Sequence, residues 1–260
     1  ELPRRSPTER AGRTAVALLV LAAGVHGASL LLRGLAVGRV PWSNMHEFTS
    51  AVCFGAVVAW LVVLHRQRVE APTLRSLGLF VLLPVVILLF LAGTVLYAEA
   101  APLIPALNSY WIAVHVAAAI VASGTLLVAG VASALYLVAA RHESQLVSTS
   151  AVGSGLPPAA TLDRLAYRTT VVAFPIWTFA LITGAIWAEA AWGRYWGWDP
   201  KETVALVAWV VYACYLHARV TAGWRGSRSA WINVIGFGVM VFNLFFVNIV
   251  VAGLHSYAGV

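Results

Sequence analysis

Trp192-Gly193-Arg194-Tyr195-Trp196-Gly197-Trp198-Asp199-Pro200-Lys201-Glu202 stands between two long apolar runs and reads as neither a tight turn nor a membrane span. With Trp187 just upstream, four of the chain's eleven tryptophans fall between positions 187 and 198. Gly193 and Gly197 interrupt the aromatic run, so the backbone can bend and present flat rings to one surface. Arg194 and Lys201 place positive charge beside those rings. Asp199-Pro200-Lys201-Glu202 is a helix start: Asp as N-cap, Pro in the first turn, Glu at the third position. The same residues also fit a plainer reading, an aromatic belt at a membrane–water interface.

The flanking runs decide the fold class. The 260 residues are 61% hydrophobic and only 10% charged, whereas a soluble domain carries roughly a quarter charged residues. Uncharged or nearly uncharged runs at Thr14–Leu32, Phe48–Leu64, Leu77–Ala98, Trp111–Ala140, Thr169–Ala188, Pro200–Ala218 and Ala230–Val251 are each close to or longer than the ~20 residues that cross a bilayer as a helix. The fourth is long enough to tilt or to project. Pro84 and Pro175 fall inside the third and fifth. Strand-like alternation is missing, so the expectation is all-α: a polytopic transmembrane helical bundle of about seven spans, one integral membrane domain over 1–260. The Trp-rich segment then covers 187–202 and a loop covers 141–168, flexible around Ser148–Ala160.

Seven spans put alternate connections on opposite sides. Thirteen of the seventeen Lys and Arg residues fall in one set, from Arg4 and Arg5 to Arg225 and Arg228; Arg33, Arg39, Arg194 and Lys201 form the other. The positive-inside rule makes the first set cytoplasmic and the Trp-rich segment external. This charge placement follows membrane topology, so the net charge of +7 does not point to nucleic acid. Cys53 and Cys214 lie far apart in apolar runs without a CxxC, which predicts two buried thiols acting as small hydrophobes.

His115 at the external start of span four and His255 after span seven share one level with the Trp-rich segment. Imidazole is a common axial ligand of heme iron. Two histidines at matching depth beside tryptophans could bracket a flat, apolar ligand with anionic edges, and heme is such a ligand. His217 lies deep in span six, roughly 24 Å from its external end. An ionisable residue there is a functional candidate. His26 predicts a helix–helix hydrogen bond, and so do Asn243 and Asn248. Glu47, after Ser43-Asn44, predicts a cap for span two.

WGRYWGWDPKE resembles the WWD signature of the heme-handling proteins of cytochrome c biogenesis. Its Asp-Pro-Lys-Glu ending is similar to the system II family of CcsA/ResC type, called CcsB in some bacteria. Pro41-Trp42-Ser43-Asn44-Met45-His46-Glu47, Pro105-Ala106-Leu107-Asn108-Ser109-Tyr110-Trp111 through His115, Tyr167-Arg168 and Gly253-Leu254-His255-Ser256-Tyr257 resemble family landmarks in family order, so the resemblance covers nearly the whole chain. His46 departs from a Tyr often found there. The family commonly has one more span before the first seen here.

The resemblance implies a subunit of a cytochrome c synthetase in the bacterial cytoplasmic membrane. It would carry heme b across the membrane as bound substrate and present it for thioether attachment to the CxxCH motif of an apocytochrome c. The implied axial ligands are His115 and His255 outside and His217 within the membrane. The mate of His217 would lie on a ResB-type (Ccs1-type) membrane subunit. Trp187, Trp192, Arg194, Tyr195, Trp196, Trp198, Asp199, Lys201 and Glu202 would contact the heme, with Arg194 or Lys201 pairing its propionates. Glu47 and Trp111 would stand behind them. The chain offers no acid–base or nucleophilic triad, so its contribution to any catalysis would be positioning of heme against thiols. The alternative expectations are a heme exporter or chaperone that delivers heme without attaching it, and a b-type electron carrier.

Overall fold

The computed structural model describes residues 7–67, 74–103, 105–144 and 156–255. Seven helices in them are long and apolar enough to cross a membrane, which gives the expected multi-pass bundle. They are α1 (Pro7–Val37), α2 (Met45–Arg66), α3 (Gly78–Thr94), α4 (Tyr110–Ser144), α5 (Ala159–Trp192), α6 (Pro200–Val220) and α7 (Ser227–Phe242). The last continues through a π-helical turn, Asn243–Val247, into Asn248–Val250. No strand occurs among the described residues.

The helices outrun their apolar stretches. With 35 and 34 residues, α4 and α5 measure about 50 Å, well beyond a hydrocarbon core of about 30 Å. Arg141 and Ser144 remain helical, as do Asp163 and Arg168, so the connection expected over 141–168 is cut to the residues between Ser144 and Ala159. The α1 helix likewise starts at Pro7, ahead of the uncharged run that begins at Thr14. Arg4 and Arg5 lie outside the described residues, as do Arg68, the stretch from Ser148 to Gly155, and Ser256 and Tyr257.

The long pair α4–α5 forms the spine. Packed against α4 are α2 and α7; α6 lies on α5 and α7, α3 on α2, and α1 mainly on α2 at the periphery. At the α2–α4 crossing a side chain on Gly124 would come within 2.5 Å of the Ala56 nitrogen, so the backbones approach only because that residue is glycine. Trp60, Leu77, Val81, Leu127, Leu162 and Leu165 fill the core around this crossing. Leu18, Leu21, Leu83, Val86 and Phe90 face away from the bundle, as lipid-contacting residues must.

Several polar groups inside the bundle pair across helices. The His26 ring shares a hydrogen bond with Ser50 Oγ (2.9 Å), as expected, joining α1 to α2. Asn233 and Trp209 donate to Thr170 and Thr178 on α5. Two expectations are corrected. Cys53 is buried, but Cys214 is exposed on α6, on a face the bundle does not cover. Asn44, not Glu47, caps α2 by accepting the Glu47 N–H.

Glu47 instead closes a knot at the Trp-rich end, where its side chain is 0% exposed. Its carboxylate accepts from Arg33 Nε (2.8 Å), Arg39 Nη1 (2.8 Å) and Ser43 N (2.9 Å). The two arginines also donate to the carbonyls of Ala98 and Ala101. One buried carboxylate thereby ties α1, the α1–α2 loop and the segment after α3 together.

Candidate functional site

At the Trp-rich end the chain stops, turns and starts again within a few residues. Gly193 ends α5 in the left-handed conformation (φ 70°), its N–H donating to Glu189 O (2.8 Å). Only Gly193–Asp199 of the Trp-rich segment is then non-helical. A capping box opens α6, as the sequence predicts: Asp199 accepts from Lys201 N (3.2 Å), and Glu202 accepts from Asp199 N (3.2 Å) and Gly197 N (2.9 Å).

Asp199 does more than cap. Its Oδ1 accepts from Leu254 N (2.7 Å) and its Oδ2 from His255 Nδ1 (2.7 Å), so the start of α6 grips the chain that follows α7. Burial would raise the Asp199 pKa. The hydrogen bond from His255, the Leu254 N–H and the charge of His255 outweigh it and hold the carboxyl below its ordinary 3.8.

His115 is oriented from another direction. A carbonyl oxygen only accepts, so His115 Nδ1 carries a proton and donates it to Ala180 O on α5 (2.7 Å). Gly184 makes the room: a Cβ there would lie 2.7 Å from that nitrogen. In both histidines Nδ1 is committed to an acceptor, and a neutral ring then carries its lone pair on Nε2. This is the arrangement in which a second partner fixes the tautomer and direction of a metal-binding imidazole.

Trp187, 1% exposed, joins the two rings. His115 stacks on it at 6.1 Å between centroids, and His255 meets it edge-on at 5.6 Å. Trp192 packs against both Trp187 (4.7 Å) and His255 (5.1 Å). The tryptophans thus divide their roles. Trp187 and Trp192 brace the histidines, Trp196 faces the cavity below, and Trp198, 71% exposed, turns away.

A cavity of about 480 Å³ opens at this end, within the about 300–1,000 Å³ usual for small-molecule sites. The expected residues His115, His255, Trp187, Tyr195, Trp196, Lys201 and Glu202 all line it. Lys201 Nζ donates to Asn248 Oδ1, and Asn248 Nδ2 to Leu244 O (2.9 Å) and Met45 Sδ (3.1 Å), tying α6, α2 and the π turn into one wall.

The other expected residues lie off that wall. Trp192 and Asp199 support His255 from behind. Arg194 packs its guanidinium over Gly197. Trp111 stands edge-on to Tyr110 at 6.0 Å. Glu47 fixes Arg39 and Ser43, which do line the cavity. His217 rides on the exposed side of α6, in its last turn, away from this cavity. His46 bonds to Ala92 O (2.7 Å) and is not part of the wall.

Sequence reasoning missed Gly184, Ala180, Met45 and Trp177. An isolated glycine inside an apolar run was the available signal for Gly184. A second, open groove of about 1,510 Å³ runs between α1, α2, α4 and α5. It reaches from Arg66 and Arg168 to Arg39 and Trp42, which it shares with the cavity.

Residues 42–255 match the family model described as cytochrome C assembly protein. The chain is 37% identical over 277 residues to the cytochrome c biogenesis protein CcsA of a Synechococcus species, covering 97% of this chain and 88% of the relative. It is 36% identical over 264 residues to the CcsA of Parasynechococcus marenigrum (92% and 85% covered) and 35% over 269 residues to that of Synechococcus elongatus (86% and 81%). A family match that runs from the α1–α2 loop to His255, with relatives aligned along nearly the whole length, places this chain in the cytochrome c assembly protein family.

Proposed function

We propose that the chain is the heme-handling subunit of a system II cytochrome c synthetase in the bacterial cytoplasmic membrane, with the Trp-rich end outside. Heme b is its substrate. The observation that carries this reading is the pair His115 and His255. Each is anchored through Nδ1, each packs on Trp187, and both line one cavity. Two imidazoles suit an iron whose remaining four positions belong to a porphyrin.

The residues then divide the work. His115 and His255 hold the iron, Tyr195 and Trp196 cover the ring, and the cavity limits water. An apocytochrome brings CxxCH to the mouth, and its histidine replaces one of the two ligands. Each thiol adds across a vinyl group: sulfur bonds to the carbon next to the ring, hydrogen goes to the terminal carbon, and no oxidant is consumed. The chain contributes position, which is what an addition between two held partners needs. His217, exposed on α6, meets a ResB-type subunit that completes an inner site.

The test is His115→Ala and His255→Ala in the complex. Each should remove the two-imidazole spectrum of the external heme and abolish maturation, and added imidazole should restore part of both. Full maturation with both changes together would overturn the assignment.

A further inference from the structure

We infer that the groove lined by α2, α4 and α5 holds an anionic phospholipid, with its phosphate at Arg66 and Arg168 and its acyl chains along the apolar wall. The inference does not depend on the heme reading.

Two helices present the same pattern to this groove. On α2 the stripe is Arg66, Val62 and Val58; on α5 it is Arg168, Val172 and Ile176. Steps of four residues keep each stripe on one helix face. The α2 helix ends on its arginine, whereas α5, running the other way, carries its arginine in its first third. Both cations therefore stand towards the end of the bundle away from the Trp-rich segment. Each has about 12 Å of apolar wall behind it. A charged head and an apolar tail are thus laid out on two sides of one groove.

The wall suits hydrocarbon. Val58, Val62, Val121 and Val172 are exposed on it. Thr125 and Thr169 also line it, but their hydroxyls donate to the carbonyls of Val121 and Leu165 within their own helices. The α2 side of the groove, from Ala51 to Arg66, is about 22 Å long, more than the ~15 Å depth of one leaflet.

The head end suits an anion. No Asp or Glu lines the groove among the described residues. Arg219, elsewhere at this end of the bundle, is paired with Asp163, and Arg39, at the far end of the groove, with Glu47. Arg66 and Arg168 are exposed and have no carboxylate partner among the described residues. A guanidinium matches a phosphate with two parallel N–H donors, and basic pockets between transmembrane helices take acidic lipid head groups. Gln67 lines the same end and adds an amide.

Other occupants fit less well. A porphyrin iron would find no imidazole, since no His lines the groove among the described residues. A transmembrane helix would have to carry its own acids to the arginines, and acids in spans are costly.

The experiment reconstitutes the full chain in phosphatidylcholine nanodiscs with a trace of spin-labelled phosphatidylglycerol or spin-labelled phosphatidylcholine. The motionally restricted fraction of each label is read by electron paramagnetic resonance. One arginine near a lipid surface is worth about fivefold in affinity for an anionic lipid. The wild type should therefore prefer phosphatidylglycerol by roughly tenfold or more, and Arg66→Gln and Arg168→Gln should each remove about fivefold. The pair Arg141→Gln and Arg225→Gln, exposed but off the groove, should leave the preference intact. Val172→Trp, which fills the wall, should lower the restricted fraction of both labels. Equal association of the two labels with the wild type overturns the site without any variant having to fold. Loss of preference as large in the Arg141→Gln, Arg225→Gln pair as in the groove variants reduces it to net charge and overturns it too. Displacement of the phosphatidylglycerol label by iron protoporphyrin IX, or by a stoichiometric ResB-type subunit, would assign the groove to that occupant and overturn the lipid site.

Discussion

His115 and His255 each donate from Nδ1 to a fixed acceptor and pack against a buried tryptophan. His217, on the same chain, rides the exposed face of α6 with no hydrogen bond to its ring among the described residues. The two histidines at the Trp-rich end are therefore preorganised by this chain alone, through α5 and through the start of α6. On the proposed reading His217 is half a site, completed by whatever covers α6. Three helices and two loops converge on the first; one helix carries the second. On the reading proposed above, such a subunit would define the geometry of attachment by itself and would need a second surface at the depth of His217.

The largest expected effect that sharpens this contrast is at Glu47. Glu47→Ala leaves Arg33 and Arg39 without their carboxylate, and removing one partner of a buried ionic knot typically costs about 3–5 kcal/mol. Denaturation of the purified chain should show that loss, and heme affinity of the cavity should fall with it as the α1–α2 loop loosens. A variant as stable as the wild type would mean that the Trp-rich end is not held by this knot.

His217→Ala should do far less to the chain alone. A substitution on an exposed face away from buried networks usually stays within about 0.5 kcal/mol, so its stability and its heme spectrum should match the wild type. In the complex with the ResB-type subunit, heme content at the inner level should vanish and external loading should drop. A change in the isolated chain as large as that of His255→Ala would erase the distinction between the two regions.

Hydropathy made the seven spans legible, because each run is long and nearly uncharged. Their ends were not legible, because Arg141, Asp163 and Arg168 continue helices past the apolar stretch. The exposure of Cys214 was hidden for a related reason: bundle interior and lipid are both apolar, so composition does not say which face is which. The Asp199–Glu202 cap was readable from local residue types. Its bond to His255 was not, since a contact across 56 positions leaves no local pattern. The Ala180 carbonyl that orients His115 is invisible in principle, because any residue could supply it.

Asp199 also carries a pH dependence. Its carboxyl is shifted down in the folded chain, so its contribution to stability is complete above pH 3.8 and is lost as pH falls through the lower folded value.

The most direct test of the account is Asp199→Asn. Asparagine caps helices about as well as aspartate; its one oxygen can replace Oδ2 for Lys201 N, so the start of α6 survives, while the negative charge facing His255 Nδ1 and the acceptor of Leu254 N are lost. Heme titration and thermal melting are measured on the same purified chain. The account predicts a modest drop in melting temperature, no larger than that of the wild type once acid has neutralised Asp199, and heme affinity lower by about 10–100-fold, the usual cost of losing the group behind a metal-binding imidazole. Wild-type affinity with a wild-type two-imidazole spectrum would contradict it and would leave Asp199 as a helix cap.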